Sequence, residues 1–169
     1  MFYPHVIRLR GPWQREVRVR FDRQGTPLAR VSSESRRVRL PDDWRDDLGP
    51  GFRGRVRYTR HFHRPSGLEP YERVWLICEG ADRRTTWTLN GLPLHSLQGN
   101  SALLEVEITT RLERRNELCI DVELPPPPDA GKDPPHPEAA PLTAGVIREV
   151  RLEIRAGPVR RNLAGAAEK

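Results

Sequence analysis

Two tryptophans and the polar residues near them are the side chains of this sequence best suited to holding a ligand. Trp44 follows Pro41-Asp42-Asp43 in a turn-forming stretch, and Trp87 stands between Thr86 and Thr88. An indole offers a flat apolar face, which suits the C–H side of a pyranose ring. Asp46 and Arg53 share a segment with Trp44, and His136 lies in a later proline-rich one. These five residues form the candidate ligand-binding set. Trp75 lies in the densest apolar run and is expected in the core.

Metal chemistry has weaker support. Asp42, Asp43, Asp46 and Asp47 could offer oxygen ligands to calcium, although their spacing matches no calcium loop. His61 and His63 are two apart and would share a strand face, where a third ligand could complete a site. Arg57 and Arg64 flank them and disfavour a cation, so a solvated strand face is the better account. No metal site is assigned, and calcium is the one cofactor left open. The sequence shows no glycine-rich phosphate loop, serine-nucleophile motif or Cys/His dyad. No pair of catalytic carboxylates stands out from the many surface acids.

Charge and cysteine usage narrow the partners further. The net charge is +6, and the only lysines are Lys132 and Lys169. The arginines are spread along the whole chain and interleaved with acids such as Glu69, Glu72, Glu105 and Glu107, so nucleic acid is not an expected partner. Cys78 and Cys119 sit in apolar runs with no second cysteine or histidine at metal-ligand spacing. They could pair, but buried free thiols fit better with a chain that shows no secretion signal. Met1 to Arg10 has no apolar signal region and no segment reaches membrane-spanning length, so a soluble and by default cytoplasmic protein is expected.

The elements that must position these residues are strands, because the apolar period is close to two almost everywhere. Val17, Val19 and Phe21 alternate with Arg18 and Arg20, and a short run ends with Val38 and Leu40 before Pro41. Val56, Tyr58, Arg60 and Phe62 share one face, with Arg57, Thr59, His61 and His63 opposite. Arg73 to Glu79 is apolar on both faces, as a central strand is. Asn90-Gly91 tolerates positive φ at both positions and predicts a type I′ hairpin joining 85–89 to 92–97. Strands are also predicted over 103–108, 117–124 and 149–155, with one helical turn near Leu112. Arg60 alternates in phase with apolar neighbours, which makes it a structural arginine that needs a partner, Glu79 or Asp82.

Some eight or nine strands and no long helix predict an all-β sandwich or jelly roll. Residues 125–141 hold eight of the seventeen prolines and no aliphatic residue larger than alanine. Four consecutive prolines end a strand at Leu124, so 125–143 is expected to be a loop within one domain spanning 1–157. Residues 158–169 are expected to form a flexible tail.

The order of motifs resembles the sugar-binding domain of family 2 glycoside hydrolases. WRDDLGPGFRGRVRYTRHFHRP, residues 44–65, is similar to the family's opening Trp, glycine and aromatic-x-Arg-x-Phe strand. RVWLICEGADRRTTWTLNG, residues 73–91, is similar to its strand, turn, strand and Asn-Gly hairpin. Gly99, the strand ending at Thr109, Leu112 and Asn116-Glu117-Leu118 follow in order, and AGVIREVRLEI, residues 144–154, resembles its returning strand. About two-thirds of the chain is covered.

The resemblance implies a galactose-binding-domain-like jelly roll in which Asn90 and Gly91 are structural. In complete family members two glutamates on a separate barrel domain carry out hydrolysis, and no such domain is present in this sequence. Pro141, Leu142 and Thr143 stand where many of those enzymes carry an acid and an aromatic against sugar. The expectation is therefore a non-catalytic binding module, not an enzyme, whose partner is a carbohydrate or another protein chain. The alternative is a structural or protein-docking subunit without sugar affinity.

Overall fold

A computed structural model describes residues 4–28, 35–49, 51–79, 84–97, 103–126 and 149–157. They form two antiparallel sheets facing each other across one apolar core. In chain order the strands are β1 (His5–Arg8), β2 (Trp13–Arg20), β3 (Ser35–Val38), β4 (Gly54–His63) and β5 (Glu72–Glu79). They continue with β6 (Arg84–Leu89), β7 (Leu92–Leu97), β8 (Leu103–Glu107), β9 (Arg115–Leu124) and β10 (Val150–Ala156). One sheet runs β1-β10-β5-β8 and the other β3-β2-β4-β9-β6-β7. Short 3-10 turns occur at Trp44–Asp46 and Thr109–Arg111, the second in the stretch where one helical turn is predicted.

Eight of these strands fall on runs predicted from the sequence, and β3 meets its predicted run, Val38 to Leu40, only at Val38, because that strand ends before Pro41. The tenth, β1, is a four-residue edge strand on β10, too short for its alternation to register. The second strand begins four residues before the expected Val17, at Trp13, and this changes its reading. Trp13, Arg15 and Val17 face the core while Gln14 and Glu16 face out. A β-bulge between Val17 and Val19 then breaks the alternation that the sequence continues to Phe21. The bulge brings the Val19 carbonyl against Gly54, where an added Cβ would lie 2.1 Å from the oxygen. Only glycine fits there.

The expected hairpin is present. Asn90 and Gly91 have φ of 52° and 77°, the positive pair that a type I′ turn requires. Asn90 also ties the turn to the neighbouring strand, donating from Nδ2 to Asn116 Oδ1 at 3.1 Å and accepting from the Glu117 N–H at 2.9 Å. Asn116 is buried and bonds the Glu113 backbone in both directions, so two asparagines satisfy this corner.

Trp75 corrects one expectation. On β5 it is Val74, Leu76 and Cys78 that point into the core, so Trp75 and Ile77 lie on the outer face of the four-stranded sheet. The Arg155 guanidinium lies 5.2 Å from the Trp75 ring centroid. Around them Glu153 accepts hydrogen bonds from both Arg151 and Arg155, Arg151 reaches Glu79, and Arg155 reaches Glu105. Cys78 and Cys119 are both free and buried, and they belong to different sheets. Burial pushes the Cys78 thiol up to about 12.

Candidate functional site

The predicted ligand platforms are core residues. Trp44 is 1% exposed and Trp87 is fully buried, so neither indole presents a face to a sugar ring. Trp87 belongs to the inward row of β6, where its Nε1 donates to Thr85 Oγ1. Trp44 turns under its own loop, meets the Phe52 ring edge-on at 5.2 Å, and donates from Nε1 to the Tyr58 hydroxyl at 2.5 Å. Polar flanking residues suggest exposed side chains, and here a buried hydrogen-bond partner satisfies each indole N–H instead.

The rest of the predicted set does not gather around Trp44. Asp46 is exposed on the short 3-10 turn, and Arg53 is half-buried with Nη1 donating to the Phe52 carbonyl. His136 lies outside the described residues. His61 is exposed and reaches Glu117 at 3.1 Å, and His63 lies opposite Arg115 in the β4–β9 register. Arg60 donates from Nη1 to the Pro12 carbonyl at 2.6 Å, and its Nε is buried without a partner. Its expected partner Glu79 lies in the other sheet and bonds Arg151 instead, and Asp82 is outside the described residues.

A buried ionic network replaces the aspartate cluster considered for calcium. Arg15, 3% exposed, donates from Nη1 to Asp42 Oδ2 at 2.7 Å and from Nη2 to Asp47 Oδ2. Asp47 also accepts from Arg36 at 2.7 Å, and the Tyr58 hydroxyl donates to Asp42 at 2.6 Å. Burial alone would lower the Arg15 pKa, but its bonds to Asp42 and Asp47 outweigh that and raise it. Burial first, and then Asp42, pushes the Tyr58 phenol well above its ordinary value. Arginines therefore occupy Asp42 and Asp47. Among the described residues no three of the His, Cys, Asp and Glu side chains come together as metal ligands would.

A second site lies outside the predicted set, on the outer face of the six-stranded sheet. Gln14 pairs with Arg37 of β3 on one side and with Thr59 of β4 on the other, so the three side chains form one row across β3-β2-β4. With Ser35, Arg60 and His61 they line a groove of about 490 Å³. Pro12 and the buried Trp13 complete its floor at the start of β2. None of the described lining residues is acidic. Gln14 Nε2 leans to Glu16 at 3.3 Å, and Glu16 is itself held by Arg18 at 2.9 Å. The alternation Trp13-Gln14-Arg15-Glu16-Val17 carried the signal for both sites, and it is legible only if the strand is started at Trp13.

No protein-family model matches the sequence, and no curated protein is similar enough to match it. Solved structures do match. The chain aligns over 90% of its length with a β-glucuronidase from Bifidobacterium dentium complexed with coumarin-3-O-glucuronide, at 21% identity and a TM-score of 0.68. It aligns over 92% with a putative β-galactosidase from Bacteroides fragilis, at 20% identity and a TM-score of 0.67. It aligns over 89% with a GH2 β-galacturonidase from Eisenbergiella tayi bound to galacturonate, at 16% identity and a TM-score of 0.65. The fold is that of a β-sandwich domain of family 2 glycoside hydrolases. The chain spans 30%, 24% and 24% of those three proteins, a minor part of each. The jelly-roll sandwich implied by the motif order is thus the observed architecture. Among the described residues no helix is long and apolar enough to cross a membrane.

Proposed function

We propose that this domain is a non-catalytic carbohydrate-binding module whose binding surface is the groove across β3, β2 and β4. The groove carries the reading. It is open, polar and of a size for a small saccharide, and it stands on the rigid face of a sheet rather than on a loop. Gln14, Ser35 and Thr59 offer the amide and hydroxyl groups that sugar hydroxyls pair with. None of the described residues that line the groove is an acid, so the groove itself holds no pair of carboxylates for hydrolysis. Binding on this reading needs no calcium, so a chelator leaves the affinity unchanged.

Isothermal titration against a panel of neutral and acidic mono- and oligosaccharides tests the proposal. Saturable binding that is lost in Thr59→Trp, a substitution that fills the groove from the solvent side, supports it. Silence across the panel, with the wild-type domain folded, overturns it. That outcome would favour a protein-docking subunit, for which the exposed Leu103 on the edge strand β8 is the first surface to probe.

A further inference from the structure

The arginines on the outer face of the six-stranded sheet fall into two groups. Arg55 pairs with Glu123 at 2.7 Å, Arg57 with Asp121 at 2.7 Å and Arg18 with Glu16 at 2.9 Å. Each of these charges is met by a carboxylate on the same or the neighbouring strand. Arg37 is different. It is exposed on β3, lines the groove, and has no hydrogen bond or ion pair among the described residues. Arg60 at the same groove bonds only a neutral carbonyl, so its charge is also uncompensated. Two guanidiniums without counter-charge thus border a groove whose described lining holds no acid, whereas Arg18, Arg55 and Arg57 on the same face are each neutralised.

We propose that the groove selects saccharides carrying an oxyanion, a carboxylate or a sulfate, with Arg37 as the residue that takes the charged group. This deepens, and rests on, the carbohydrate-binding reading above. A guanidinium stays protonated at all working pH values and matches an oxyanion with two parallel N–H donors. Adjacent strands lie about 4.8 Å apart, so the row from Arg37 through Gln14 to Thr59 extends about 10 Å. That distance lets one end of a sugar meet the guanidinium while its hydroxyls meet the other two side chains. Because the Gln14 amide nitrogen leans to Glu16, its oxygen is the group left to accept from a hydroxyl. The Thr59 hydroxyl can donate or accept, and its present contact is the weak one to Cys119 Sγ at 3.7 Å. His61 is already engaged by Glu117.

Matched ligands separate the two proposals. Glucose, glucuronate, glucose 6-sulfate and inorganic sulfate are titrated into the wild-type domain, Arg37→Gln and Arg23→Gln. Arg23 is an exposed arginine at the opposite end of β2 and serves as a charge control. The expected result is that an acidic sugar binds on the order of tenfold more tightly than glucose, an advantage lost in Arg37→Gln and kept in Arg23→Gln. It should also weaken as salt is raised. Equal binding of glucose and the acidic sugars, or an acidic preference that survives Arg37→Gln, overturns the assignment and leaves the carbohydrate reading standing. Inorganic sulfate binding as tightly as the sugar sulfate would make this an anion site and overturn the saccharide selectivity. Absence of binding by every sugar overturns both. Unfolding curves of the two variants that match the wild type show that the losses are not losses of folding.

Discussion

Arg15 and Asp42 meet at 2.7 Å beneath the loop that carries Trp44. This pair fixes the loop to the sandwich, because Asp42 also accepts from Tyr58, and Tyr58 accepts from Trp44. A four-residue chain of donors and acceptors therefore runs from a strand arginine to the loop indole. It explains why a tryptophan in a polar, turn-rich segment is a core residue. A buried arginine is tolerable only when each of its charges and donors is met, and Asp47 supplies the second carboxylate.

Removing the guanidinium strands two carboxylates under the loop. Arg15→Ala is expected to lose about 3–5 kcal/mol of stability, the range for breaking one partner of a buried pair. Arg15→Lys should recover only part of it, since an ammonium cannot span Asp42 and Asp47 with a planar fork. Urea unfolding followed by tryptophan fluorescence measures both. A loss below about 1 kcal/mol for Arg15→Ala would place the network among the weak surface pairs instead.

Gly54 faces a backbone oxygen that cannot move aside without undoing the β2 bulge. A methyl group there would sit 2.1 Å from the Val19 carbonyl, whereas Gly51 has nothing within 4 Å of the same added atom. Gly54→Ala is expected to destabilise by about 3 kcal/mol or more, the upper range of overpacking. Gly51→Ala should change stability by less than about 0.5 kcal/mol. Comparable unfolding midpoints for the two variants would contradict the bulge register.

Glu153 gives the fold an acid-sensitive contact. Burial acts to raise its pKa, but the hydrogen bonds and charges of Arg151 and Arg155 outweigh this and hold it below the usual carboxylate range. A carboxylate whose folded-state pKa is depressed contributes stability above its unfolded pKa and loses it as pH falls through the folded value. Stability should therefore decline as pH drops below the ordinary glutamate range, and Glu153→Gln should flatten part of that slope. Denaturant unfolding at a series of acidic pH values checks this. An unchanged slope in Glu153→Gln would assign the acid sensitivity to other carboxylates.

How legible the molecule is depends on whether a residue's fate is set by its neighbours in sequence or in space. The β4, β9 and β10 strands and the Asn90-Gly91 hairpin follow from alternation and turn chemistry, which are local. The burial of Trp44 is not local, since it depends on Tyr58 and Arg15 from two other elements. The groove was hidden for a related reason. Gln14, Arg37 and Thr59 are far apart in the chain and become one row only through the antiparallel registers of β3, β2 and β4. The side on which Trp75 lies is not legible either, because an apolar run on both faces does not reveal which face a salt-bridged layer of arginines will cover.

The four tryptophans offer a direct optical test of this arrangement. Trp13, Trp44 and Trp87 are at most 1% exposed, while Trp75 lies half-buried on the outer face beneath Arg155. A neutral quencher such as acrylamide should therefore reach one indole readily and the other three poorly, giving a downward-curved Stern–Volmer plot. Trp75→Phe is expected to remove the accessible fraction and shift the remaining emission to shorter wavelength. Arg155→Ala should do the reverse, raising the quenching of Trp75 because the guanidinium that covers its ring is gone. If Trp44→Phe removed the accessible fraction instead, the loop indole would be at the surface, and it would return as the sugar platform that its sequence setting suggests.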